Sequence, residues 1–148
     1  MRPYYLLAAA SFFLSTGSVH AVTPESYFPD QDVAHFLVDH LDLATFRNSL
    51  QPRRTTMDRT FTDLGIEPSF VSETKVELET DDWVYSITIL RRGDINRDGI
   101  EDLEVCFGDE AKQGTYLATE PLLLTRYSSS DYVVALDWEM NGCERYPQ

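Results

Sequence analysis

The chain has 148 residues, with 12 basic and 25 acidic side chains and a formal charge of −13. So acidic a surface argues against nucleic acid and anionic membranes as partners, because phosphate binding needs a net positive face. The length suits one domain with a genuine core and is too short for two.

The first 21 residues read as a signal peptide rather than as fold. Arg2 supplies a short positive region, Leu6 to Leu14 is an apolar run, and Val19-His20-Ala21 fits a small-residue cleavage site, which predicts cleavage after Ala21. The run is shorter than the roughly 20 apolar residues of a membrane helix. The expected product is a single soluble domain of about 127 residues (22–148), exported to the periplasm or the extracellular medium, with no membrane insertion after cleavage.

The segment 22–52 is predicted to be helical. From Asp30 to about Leu50, Val33, Phe36, Leu37, Leu41 and Ala44 recur at three- and four-residue intervals and form an apolar stripe. Asp30 is placed to cap the first turn. Leu43, Phe46 and Leu50 lie on a shifted stripe, which predicts a break near Asp42 and a second short helix capped by it; Pro52 ends the segment. Residues 53–74 show no sustained period and read as an irregular connection, with one short strand near Phe70.

From Lys75 the period changes to two, and an antiparallel sheet is expected over 75–140. Val76 and Leu78 alternate with Glu77 and Glu79; Tyr85, Ile87 and Ile89 with Ser86 and Thr88; Leu103, Val105 and Phe107 with Glu104 and Cys106. Leu122–Tyr127 and Tyr132–Trp138 flank Ser128-Ser129-Ser130-Asp131, a hairpin turn. One-faced alternation predicts an α+β fold, with the N-terminal helix packed on an antiparallel sheet of about five strands. Cys106 and Cys143 are the two cysteines, and an even count in an exported chain predicts one disulfide between them.

Between two of these strands stands Gly93-Asp94-Ile95-Asn96-Arg97-Asp98-Gly99-Ile100-Glu101-Asp102-Leu103. Asp94, Asn96 and Asp98 alternate, a glycine comes next, and Asp102 closes the set. With the Ile100 carbonyl they supply five oxygens, or six if one carboxylate is bidentate, and water completes the six to eight that calcium accepts. The set contains no histidine or cysteine, which disfavours zinc and copper, and magnesium demands stricter octahedral geometry. Asn, Asp and Gly also dominate metal-free turns, so a plain hairpin connection is the competing reading.

The run resembles the calcium loop of the FG-GAP/VCBS families and of dockerins. That resemblance implies side-chain ligands at Asp94, Asn96, Asp98 and Asp102, a backbone ligand at Ile100, and a structural calcium ion as cofactor. It covers residues 93–103 only. Val105 stands where an EF-hand loop has its bidentate glutamate, the flanking elements are strands rather than dockerin helices, and a single copy cannot build a propeller.

Other constellations are weaker. His35 and His40, five residues apart on a helix, point about 140° away from each other and cannot share a metal. No Gly-x-Ser-x-Gly elbow is present. Trp83, Tyr85, Tyr132 and Trp138 fall on or beside strands, as packing residues do. Arg47, Arg53, Arg54 and Arg59 cluster in a chain otherwise poor in bases; they are either neutralised by the protein's own carboxylates or form a patch for an acidic partner. The leading expectation is a non-enzymatic binding or structural module of the cell envelope or secreted space, with a calcium-stabilised hairpin and another envelope or secreted protein as partner. A periplasmic inhibitor or chaperone-like protein is the alternative, and a small carboxylate-dependent hydrolase the second.

Overall fold

A computed structural model describes residues 23–47, 50 and 52–143; the expected signal peptide and its cleavage site lie outside them. Six strands succeed one another along the chain: β1 (Pro68–Val71), β2 (Lys75–Glu79), β3 (Trp83–Gly93), β4 (Asp102–Ala111), β5 (Leu117–Thr125) and β6 (Val134–Asp137). Each pairs antiparallel with its sequence neighbours, so the sheet is a meander in chain order. Short turns between consecutive strands make this the connection of lowest loop-closure cost.

Register obeys the alternation. Val76 faces Ile87, Leu78 faces Tyr85, Ile87 faces Phe107, Val105 faces Leu122 and Leu103 faces Leu124. These side chains form one apolar face, on which the helix α1 (Val33–His40) buries Val33, Ala34, Leu37 and Val38. Phe46 closes over Phe107 with ring centroids 4.6 Å apart, and Phe61 is fully buried in the same core. The opposite face carries Ser86, Thr88, Glu104 and Cys106. There the disulfide Cys106–Cys143, Cα atoms 5.3 Å apart, ties down the C-terminal tail, and Trp138 donates its indole N–H to Glu104 Oε1 at 2.9 Å. Among the described residues no helix is long and apolar enough to cross a membrane.

Several expectations need correction. The helix runs only over Val33–His40, not from Asp30 to Leu50, and the molecule is mostly β. It stops because Leu41 turns extended (φ −74°, ψ 120°) to bridge Val133: the Asp42 N–H donates to the Val133 carbonyl and the Val133 N–H to the His40 carbonyl, both at 2.8 Å. The break near Asp42 is real, but the next element is a single 3₁₀ turn, Leu43–Thr45, capped by Asp42 Oδ1 accepting from the Ala44 N–H at 3.0 Å. At the other end Asp32, not Asp30, is the cap residue; its φ of 56° is left-handed and its side chain makes no capping bond.

The sheet has six strands rather than five, because β1 joins it as an edge strand near Phe70. Within the connection 53–74 the backbone is ordered by its own side chains. Thr60 and Asp63 cap each other reciprocally, each side chain accepting the other's N–H at 3.1 Å, and that turn presents Phe61 to the core.

Candidate metal centre

The loop 94–101 connects the two longest strands, β3 and β4, and its backbone is shaped by its own side chains. Asp102, the first residue of β4, is fully buried, and its Oδ2 accepts the N–H groups of Ile95 (3.0 Å) and Asn96 (3.2 Å). Asp94 Oδ2 accepts the Gly99 N–H at 3.2 Å, and Asp98 Oδ1 the Ile100 N–H at 2.9 Å. Gly99 has φ 89°, a conformation side chains resist, and Arg97 occupies the left-handed region at φ 66° at the exposed tip. The alternating oxygens therefore wrap the peptide groups around a common centre.

One oxygen each from Asp94, Asp98 and Asp102 lies within 4.8 Å of the others. At that separation two unit charges of like sign repel by about 3 kcal/mol at an effective dielectric of about 20. Two oxygens on this cluster, Asp94 Oδ1 and Asp102 Oδ1, are buried and have no hydrogen-bond partner among the described residues. Buried carboxylate oxygens are normally satisfied, so a pair of such atoms in an acidic cluster fits a hard cation as the missing partner.

The five residues singled out in the sequence do not play equal parts. Asp94, Asp98 and Asp102 converge. Asn96 serves the turn: its Oδ1 accepts the Asp98 N–H at 3.0 Å and its Nδ2 donates to Asp98 Oδ2 at 2.9 Å. Ile100 sits in a parallel bridge with Glu25, in which the Glu25 N–H donates to the Gly99 carbonyl (2.9 Å) and the Glu101 N–H to the Glu25 carbonyl (2.8 Å). Such a bridge uses the groups flanking Ile100, so its own N–H and C=O point the other way, and the N–H meets Asp98.

Two neighbours carry no local sequence signal. Thr125 stands directly opposite Asp102 in the β4–β5 ladder, is fully buried, and its hydroxyl has no partner among the described residues. Facing side chains in such a pair have Cβ atoms roughly 4.5–5.5 Å apart. Glu101 ends the loop, held by Arg92 at 2.7 and 2.9 Å and by the Ser26 hydroxyl at 2.6 Å. The Arg92 guanidinium, aided by Ser26, outweighs burial and holds the Glu101 carboxyl below its ordinary value. A depressed carboxyl contributes stability above its unfolded pKa, about 4.3, and loses it as pH falls through the folded value. Glu101→Gln is therefore expected to lower the melting temperature at pH 7, and the gap to wild type should close below about pH 4; parallel melting curves at all pH values would contradict this.

The arginines are mostly engaged by the protein itself. Arg47 pairs with Asp137 (2.5 Å) and Glu120 (3.5 Å), and Arg59 with the buried Asp42 while stacking 4.3 Å over Tyr132. Arg47, Arg53 and Arg54 border one shallow cavity of about 430 Å³ with Phe46, and Arg59 stands apart from it. His35 is exposed, and His40 stacks on Phe36 with centroids 3.9 Å apart.

Comparison of the chain with protein-family models, with characterised proteins and with solved structures yields no match.

Proposed function

We propose that the protein is an exported, non-enzymatic binding or structural module whose β3–β4 hairpin is held by a calcium ion. The observation that carries this reading is the pair of buried, unpartnered oxygens, Asp94 Oδ1 and Asp102 Oδ1, within a cluster of three carboxylates. Asp94, Asp98 and Asp102 supply the charged ligands, and the Ile100 carbonyl, turned away from Glu25, the neutral one. An all-oxygen set suits calcium over zinc or copper. The disulfide supports an oxidising destination. The exposed edge strand β1, with Phe70 49% and Val71 43% accessible, supports the binding side of the reading, because an open edge accepts a partner's strand.

In the same reading the Thr125 hydroxyl orders a water on the ion. Calcium titration by calorimetry tests both statements. Wild type should bind one ion, and Thr125→Val should weaken it about 10-fold, as loss of an outer-shell partner does. Without calcium the variant should be as stable as wild type or more so, since it removes a buried hydroxyl that has no partner. No heat in wild type at millimolar calcium overturns the metal; equal affinity in the variant overturns the role of Thr125.

A further inference from the structure

The stretch Pro24–Pro29 lies across the loop, although Ser26 and Glu101 are 75 positions apart in sequence. Its contacts fall into two groups. Downstream, Phe28 is buried against Phe36, and Arg126 donates to the Tyr27 carbonyl at 2.7 Å. Neither of these involves the acidic loop, although Arg92, which holds Glu101, also donates to the Pro29 carbonyl at 3.3 Å. Upstream, Glu25 and Ser26 meet the loop and its flank: the Glu25 N–H meets the Gly99 carbonyl, the Glu25 carbonyl meets the Glu101 N–H, and the Ser26 hydroxyl meets Glu101 Oε2.

One of the two peptide groups that receive Glu25, the Gly99–Ile100 unit, is also held by the acidic cluster: its carbonyl meets the Glu25 N–H and its N–H meets Asp98. The Gly99 N–H is fixed by Asp94 and the Ile100 N–H by Asp98, and both carboxylates belong to the cluster. We infer that the cation site is a latch for the N-terminal strap: calcium, by holding Asp94, Asp98 and Asp102 together, keeps residues 99–101 in the geometry that docks Glu25 and Ser26, and its removal frees the strap upstream of Tyr27. This rests on the calcium reading above. Without the ion the three carboxylates repel, the loop opens, and the segment 99–101 moves with the side chains that hold it. Tyr27 and Phe28 stay in place, because Arg126 and the core hold them. Glu25 and Ser26 are solvent-exposed, so once the bridge opens Ser26 keeps only its hydroxyl bonds to Phe28 and little holds Glu25.

Coupling between two sites is reciprocal, so docking of the strap must tighten calcium by the same factor by which calcium favours docking. The test uses the full chain with CaCl₂ or a chelator. Amide exchange is read at Glu25 and Glu101, whose N–H groups form the bridge, with Val105 in mid-β4 as the reference. Removal of calcium should speed exchange at Glu25 and Glu101 by at least about 5-fold more than at Val105, which reports only the change in global stability, and Glu25→Pro, which removes the bridging donor, should weaken calcium by a similar factor. If calorimetry shows calcium bound while its removal speeds Glu25 and Glu101 no more than Val105, the latch is overturned and the metal site stands. An unchanged affinity in Glu25→Pro overturns it too. If no calcium binds at all, the metal reading falls and the latch with it.

Discussion

In 10 mM calcium the protein is expected to melt about 5–10 °C higher than in chelator, a figure set by affinity and size. Extracellular calcium loops bind with constants near 10⁻⁴–10⁻³ M. Selective binding to the folded state then contributes about 1.4–2.7 kcal/mol at that concentration. For a domain of this length each kcal/mol is worth about 4 °C. The sharper expectation is a change of sign at Asp98. Asp98→Asn keeps a side-chain oxygen for the Ile100 N–H but removes one charge from the cluster. In chelator the variant should melt above wild type, because like-charge repulsion is relieved; in calcium it should melt below, because a ligand charge is lost. Asp102→Ala differs. It strips the Ile95 and Asn96 amides of their acceptor as well, and should be destabilised by about 3 kcal/mol or more even without calcium. Thermal melts of the three proteins in both buffers decide the matter. If Asp98→Asn melts below wild type by the same amount in both buffers, the loop is turn chemistry and not a cation site.

Loss of the disulfide is expected to have the largest effect of any single change. Cys106 and Cys143 are 37 positions apart, and closing such a loop is worth about 4 kcal/mol on the chain-entropy account. Native context adds to this: the bond lies on the face of the sheet opposite α1, and the tail it retains includes Trp138, whose indole is bonded to Glu104. The double variant Cys106→Ala, Cys143→Ala should therefore unfold in urea at a much lower midpoint, with free energy reduced by about 4 kcal/mol. Its calcium-dependent increment should survive. Asp102 and Cys106 are four residues apart on β4, about 13 Å along the strand. Sites that far apart and without shared partners add within about 0.5 kcal/mol. A calcium effect that vanished with the disulfide would show that the two anchors act as one.

Much of this molecule was legible in local sequence, and the reason is periodicity. Alternation at Val76–Leu78, Tyr85–Ile87 and Leu103–Phe107 sorts side chains to two faces whatever the neighbours, so strand identity and facing are read directly. The convergence of Asp94, Asp98 and Asp102 was legible for a similar reason, since a loop of this length leaves alternate side chains few places to point. With two cysteines, the pairing had one solution. A short strand near Phe70 was legible, but its place at the edge of the sheet was not, because Pro68–Val71 is short, largely exposed and without alternation.

The helix and the surroundings of the acidic loop were another matter. The apolar stripe continued past His40, yet the chain left the helix at Leu41 to pair with Val133, and Asp42 was buried by Arg59, 17 residues downstream. Propensity is worth tenths of a kcal/mol per residue, and a buried, paired carboxylate with two new backbone bonds outweighs it. Thr125 facing Asp102 and Glu25 bridging Ile100 are contacts across the sheet and across most of the chain. No local pattern encodes them. Alternation in the sequence says which side chains face inward; only the assembled sheet, with a strap laid over its hairpin, decides which distant groups meet the acidic loop.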